Sequence, residues 1–219
     1  MTPARVQFRE ALEALRVDVD DLGRLAEGAV GGAVAALIGD DRGRALAVVA
    51  GDDRIDAQFV VLEERAYALV AQQAPVAADL RFLMSALRVM ADYEKTGDRA
   101  VAVAKIALAD WPRESVAIRL LGRMGDLALS LVAAARAAWV QQDLVLAAGL
   151  QRRDDDLDAC YRQLTAHLLG QHAPDVSVLV LNAHAAGNLE RIADHAVMIG
   201  ERVSYLLTGD PSALAAEIG

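Results

Sequence analysis

The same acidic stretches occur twice along this chain, in the same order, so the fold must be built from two copies of one unit. Asp52-Asp53-Arg54-Ile55-Asp56 returns as Asp154-Asp155-Asp156-Leu157-Asp158, and Gln72-Gln73-Ala74-Pro75 returns as Gln171-His172-Ala173-Pro174. Glu94-Lys95-Thr96-Gly97-Asp98-Arg99-Ala100-Val101 returns as Glu190-Arg191-Ile192-Ala193-Asp194-His195-Ala196-Val197. The offset shrinks from 102 to 99 to 96 residues, which two small loop deletions explain.

Each copy reads as three helices. Phe8, Leu12, Leu15, Val19, Leu22, Ala26, Ala29 and Ala33 follow steps of three and four, the spacing of a helix with one buried seam. Gly39 and Asp40 mark its end, and Asp40 or Asp41 can cap the next helix. Ile55, Phe59, Leu62, Ala66 and Leu69 continue the pattern up to Pro75, which suits the first turn of a third helix. That helix runs to about Trp111, before Pro112. Leu121, Met124, Ala128, Leu131, Ala135 and Ala138 mark a fourth, and Leu157, Tyr161, Leu164 and Leu168 a fifth ending before Pro174. A sixth closes at Thr208-Gly209-Asp210-Pro211. The expected spans are about 5–38, 41–73, 76–110, 113–140, 143–170 and 175–207. The fold class is all-α: two pseudosymmetric antiparallel three-helix bundles, over 1–111 and 112–209, with a tail over 210–219.

Composition narrows the function classes. Apolar residues make up 55% of the chain and aromatic residues only 4%, which favours helices packed through small side chains over sheets. A formal net charge of −9 argues against a general nucleic-acid binder, which needs a basic footprint. No apolar run reaches the ~18 residues of a membrane span; the expected nearest, Leu127 to Val140, is short and contains Arg136. Met1 to Glu10 lacks the apolar core of a signal peptide. Cys160 is the only cysteine, which rules out an intrachain disulfide and makes a cytoplasmic location the expectation.

The residues with chemistry in them are carboxylates. Each copy carries two acidic pairs at i, i+4 spacing: Asp52/Asp56 with Glu94/Asp98, and Asp154/Asp158 with Glu190/Asp194. Such pairs share a helix face about 6 Å apart, and their like charges cost a helix a few tenths of a kcal/mol. The spacing of Leu80, Met84, Leu87 and Ala91 continues through Glu94, Asp98 and Val101, which puts these acids at the core's edge. A bound cation would remove the repulsion, and clustered oxygen ligands suit magnesium, manganese, iron or zinc. The alternative is a solvated face, with Lys95 and Arg191 three residues before Asp98 and Asp194. Rotation of the third helix to bury Leu83, Met90, Gly97 and Ala104 instead is also compatible with the periodicity.

Other chemistry finds no support. There is no Glu-x-x-His pair, nucleophile elbow or glycine-rich phosphate loop. His167, His172, His184 and His195 lack metal-ligand spacing, and Cys160 reads as a small hydrophobe. No catalytic residue is assigned.

At these residues the chain resembles the PhoU family. Gln72-Gln73-Ala74-Pro75-Val76-Ala77-Ala78-Asp79-Leu80-Arg81 is similar to that family's QQPVAxDLR segment. Asp92 to Asp98 and Asn188 to His195 are similar to its two LERIGDHA segments, and Tyr205-Leu206-Leu207-Thr208-Gly209 also fits. The first copy departs at Tyr93, Lys95, Thr96 and Arg99, the second at Ala193. The resemblance implies a non-enzymatic negative regulator of phosphate uptake and phosphate-starvation signalling. It implies an adaptor between the ATPase subunit of the phosphate transporter and a sensor histidine kinase, reaching the membrane only through those partners, and a homodimer. It also implies metal ions held through Glu94/Asp98 and Glu190/Asp194, with Asp52, Asp56, Asp154 and Asp158 as the acids of the preceding helices. A metal-dependent enzyme or metal store using the same carboxylates is the competing reading, and a purely structural scaffold a third.

Overall fold

The computed structural model describes residues 3–73, 75–171 and 175–217. Among the described residues six α-helices follow one another: α1 Pro3–Gly39, α2 Arg42–Gln73, α3 Ala78–Leu108, α4 Ser115–Gln141, α5 Leu144–Leu169 and α6 Val176–Thr208.

 A short 3-10 turn over Pro211–Glu217 packs back on α6. No strand occurs among the described residues. The stop expected at Pro174 and the reading of His172 lie outside them.

Helices α1, α3, α6 and α4 each pack on the next and close a central four-helix ring. Helix α2 lies against α1 and α3, and α5 lies against α4 and α6, so each three-helix half contributes two inner helices and one flanking helix. The seam of α1 supplies Leu15, Val19, Leu22, Ala26 and Val30 to the core, all fully buried. Against the sequence expectation, helix α1 over Arg5–Gly39 is long and apolar enough by length and composition to cross a membrane. Its buried stripe is instead core of the bundle.

Three sequence expectations change. On α3 the buried residues include Leu83, Ala86, Met90, Tyr93, Gly97, Ala100 and Ala104, together with Val101, whereas Leu80 and Met84 are exposed. The inner helix has neighbours on several sides, and their combined apolar surface selects the alternative rotation. Pro75 precedes the third helix rather than opening it; Ala77, at φ 49°, is the residue before its first turn. The same helix stops at Leu108, and Trp111 folds back beneath it, its Nε1 donating to the Ile106 carbonyl at 3.3 Å.

The helix ends are otherwise capped as their residue types dictate. Asp41 Oδ1 accepts from the Arg44 amide at 2.9 Å. Glu114 accepts from the amides of Val116 and Ala117, and His167 at the end of α5 reaches the same carboxylate at 2.9 Å. Burial works against the Glu114 charge, but these hydrogen bonds hold its pKa down at about 2. Gly209 ends α6 at φ 73°, a left-handed conformation that glycine adopts without strain, and its amide returns to the Tyr205 carbonyl at 2.8 Å.

Across the junction of the halves, the Phe82 ring stacks on Trp139 with centroids 5.8 Å apart, and Trp139 Nε1 donates to the Arg16 carbonyl. Arg136 of α4 pairs with Asp20 at 3.1 Å and Glu27 at 2.9 Å on α1. Farther along, His195 of α6 meets Asp92 of α3 at 3.2 Å.

Close helix approach is the feature that packing can least relax. A Cβ at Gly200 would lie 2.8 Å from the Ala147 carbonyl oxygen and 2.5 Å from Leu150 Cδ1. Because the oxygen is backbone, α5 and α6 would have to part. Gly28, by contrast, has open space around its missing Cβ. Gly200→Ala is expected to cost about 2 kcal/mol, and Gly28→Ala to stabilise by up to about 1 kcal/mol. Urea unfolding of the two variants checks this, and equal effects would contradict the packing account.

Candidate functional site

The eight sequence-singled acids fall on two pairs of adjacent helices. Asp52 and Asp56 lie on α2 facing Glu94 and Asp98 on α3; Asp154 and Asp158 lie on α5 facing Glu190 and Asp194 on α6. Asp52 occupies a seam position between Ala45 and Ile55, so burying those neighbours carries its carboxylate to the surface of α3. Gly97 permits the approach: a Cβ there would stand 2.9 Å from Ile55 Cδ1 and 3.7 Å from Asp52 Oδ1. The second half has the buried Ala193 at the matching position, so α5 and α6 already accommodate a methyl group there.

The electrostatics of both sets run the same way. Burial, then Asp56 and Asp98, raise the pKa of Asp52 above its ordinary value, while Lys105 pulls it back. Burial and the same neighbouring acids raise Glu94, with Lys95 opposing. In the second half, burial together with Asp158 and Asp194 lifts Asp154 to about 6. Burial also raises Glu190, helped by Asp194 and Asp158, and raises Asp194 against the pull of His195 and Arg191. Each half therefore gathers negative charge that its own cations offset only in part. Arg162 lies 4.0 Å from Asp158, at the limit of an ion pair.

The donor chemistry fits a hard or borderline cation, since every group is a carboxylate. Asp52 Oδ1 and Asp154 Oδ1 are buried and accept no hydrogen bond, so each set holds one oxygen that lacks a donor. Among the described residues no three Asp, Glu, His or Cys side chains are gathered tightly enough to enclose a metal ion as they stand. Backbone placement thus brings the acids to shared surfaces, and side-chain rotation would have to close a ligand set.

Two neighbours escaped the sequence reading. Lys105 and His184 line a hollow of about 360 Å³ together with Asp52 and Asp98. Lys105 was legible as the residue seven after Asp98, on the same helix face. His184 arrives from α6 of the other half, which no local spacing reveals. The other described histidines have partners, His167 on Glu114 and His195 on Asp92, and Cys160 is buried among apolar side chains.

A duplicated six-helix bundle, with a matched acidic set on the outer helix pair of each half, defines a class of paired three-helix proteins. Sequence and structure comparisons place the chain within it. The PhoU domain model matches residues 19–107 and again 121–203, and this chain belongs to the PhoU family. It is 34% identical over 209 residues to the phosphate-specific transport system accessory protein PhoU homolog 1 of Mycobacterium tuberculosis, covering 94% of this chain and 95% of that one. It is also 34% identical to the PhoU homolog of Caulobacter vibrioides, covering 93% of this chain and 90% of the relative. The crystal structure of PhoU from Pseudomonas aeruginosa superposes with a TM-score of 0.85 at 32% identity, covering 93% of this chain and all of that one.

The raised Asp154 has a measurable consequence. Its folded pKa of about 6 exceeds the ordinary 3.8, so the folded state holds the proton more tightly than the unfolded one. The resulting penalty is absent below the unfolded value and grows as pH rises through the folded one. Asp154→Asn is expected to stabilise the metal-free protein by about 1 kcal/mol near pH 7.5, a figure reduced for the half-exposed position. Thermal melts in chelator should show that gain vanish by about pH 4. A variant less stable than the parent at pH 7.5 would refute the repulsion account.

Proposed function

We propose that this protein is a phosphate-transport accessory regulator of the PhoU type, acting as a cytoplasmic, non-enzymatic adaptor. The observation that carries the reading is the family match over both halves, with relatives of the same length named as accessory proteins of the phosphate-specific transport system. The partners in this reading are the ATPase subunit of the phosphate transporter and a sensor histidine kinase, and the working form is a homodimer. Negative regulation follows if the adaptor restrains the kinase while phosphate is plentiful.

The carboxylates take the role of metal ligands in this reading. Asp154, Asp158, Glu190 and Asp194 would hold an ion between α5 and α6, and Asp52, Asp56, Glu94 and Asp98 one between α2 and α3. Iron, zinc, manganese and magnesium all suit oxygen-rich sets. The ion would supply charge neutralisation and a cross-link between the paired helices, and the protein's part is to present and orient the acids.

Two experiments test these statements. Deleting the gene is expected to derepress phosphate-starvation genes in phosphate-rich medium, read with a transcriptional reporter. Unchanged expression in a strain without a paralogue would remove the regulatory assignment, and metal-dependent turnover of a substrate by the purified protein would favour the enzyme reading instead. Separately, manganese or zinc at 100 times its dissociation constant is expected to stabilise the protein by about 2.7 kcal/mol, reversibly with chelator. The double variant Glu190→Gln, Asp194→Asn should lose most binding by the second half while keeping its helical signal. Retained binding would show that those carboxylates are not ligands.

A further inference from the structure

A hollow of about 380 Å³ runs between α1 and α2, with Leu25 and Val48 among its apolar lining and Arg24, Arg44 and Arg54 beside them. Gly28 and Gly51 open onto it, and a Cβ at either would meet nothing within 4 Å. Neither glycine serves internal packing, although each weakens its helix relative to alanine. The matching face of the second half lies 102 residues on: the buried Val19, Leu22 and Ala26 of α1 correspond at that offset to the buried Leu121, Met124 and Ala128 of α4. On this face the charges invert. Arg24 and Arg54 correspond to Asp126 and Asp156, and the empty position of Gly51 corresponds to Arg153, all three counterparts being exposed. Arg24 is engaged by Asp20 and Asp21 of its own helix, and Arg44 stands 3.5 Å from Asp41. Arg54, Asp126, Arg153 and Asp156 form no ion pair among the described residues. Because α1 packs on α4 and each carries its flanking helix on the outside, the two faces look the same way, opposite to α3 and α6.

We propose that this side of the molecule receives a second copy of the chain, the α1–α2 hollow of each subunit taking the α4–α5 face of the other. The inference rests on the homodimer reading given above and names the surface that makes the dimer. In a two-fold dimer residue i meets j and j meets i. A rotation about an axis in the plane of this face lays each first half over the second half of its partner, so every complementary pair forms twice. Arg54 then meets Asp156 of the partner subunit, and Arg24 lies toward Asp126 of the partner subunit. The open position at Gly51 leaves room for Arg153 of the partner subunit. Like halves laid together would instead set arginine on arginine and aspartate on aspartate, and that repulsion selects the crossed arrangement. With a net charge of −9, two copies repel one another in general. The arginines beside the hollow are what let this side meet a copy of itself.

Sedimentation equilibrium of the full chain provides the test. The parent is expected to be a dimer whose dissociation constant rises with added salt. Arg54→Asp and Asp156→Arg should each weaken the dimer by about tenfold or more, because each sets like charges opposite one another twice. An equimolar mixture of those two variants should associate as tightly as the parent, since the mixed dimer has opposite charges at both contacts. The double variant Arg54→Asp/Asp156→Arg should recover in the same way. Gly51→Leu fills the open position and removes a glycine from a helix, so it should melt no lower than the parent yet dimerise more weakly. Circular dichroism confirms that each variant is folded. A dimer unmoved by these substitutions overturns this interface and leaves the homodimer reading standing, as does a mixture no tighter than its two components. A parent that stays monomeric at every concentration overturns the homodimer reading itself, and the interface with it.

Discussion

Close approach between helices is the constraint on which the rest of this structure depends. With so few aromatic side chains, the core is filled mainly by alanine, leucine and valine, and helices must come near enough for short side chains to meet. At Gly200, against the Ala147 carbonyl, and at Gly125, against the branched Val34 side chain, a single added methyl would push helices apart, and at Gly97 the tip of the Ile55 side chain would have to give way. The contacts at Gly97 and Gly200 set how near α2 comes to α3 and α5 to α6. They therefore also set how near the acids on those helices come to one another.

That proximity explains the electrostatics. Carboxylates four apart on one helix repel modestly, but pressing a second such pair against them from a neighbouring helix adds repulsion and removes water together. The raised pKa values of Asp52, Glu94, Asp154, Glu190 and Asp194 are the result. Natural proteins retain local violations of good packing and charge balance chiefly at functional sites. Here the same violation occurs once in each half of a protein from the PhoU family, at matched positions.

The halves are nevertheless not interchangeable. Tyr93 is wholly buried against Gly23, where a Cβ would stand 2.7 Å from the ring, while its counterpart in the second half is Leu189. His195 pairs with Asp92, whereas the corresponding positions hold Arg99 and Asn188, and Asn188 turns instead to the His184 carbonyl. Duplication supplied the architecture. Later substitution at the junction and beside the acids gave each half its own chemistry.

The sequence by itself determined the six helices, their order, the duplication and the identity of the acids. All of these rest on local rules: apolar spacing, a capping residue such as Asp41, and Gly209 as the stop of α6. The pairing of α2 with α3 and of α5 with α6 was legible too, because short connections force neighbouring antiparallel helices. The rotation of α3 was not, since Leu80-Met84-Leu87 and Leu83-Met90-Gly97 are equally regular, and only the shape of the surrounding α1, α2 and α6 separates them. The ending of α3 at Leu108 was likewise decided by Trp111 finding a buried place under the helix. His184 beside Asp52 and Asp98, and Asp92 opposite His195, join residues about 80 to 130 positions apart across the junction of the halves. Such contacts depend on how two bundles dock, and docking is settled by whole packed surfaces that no local spacing encodes.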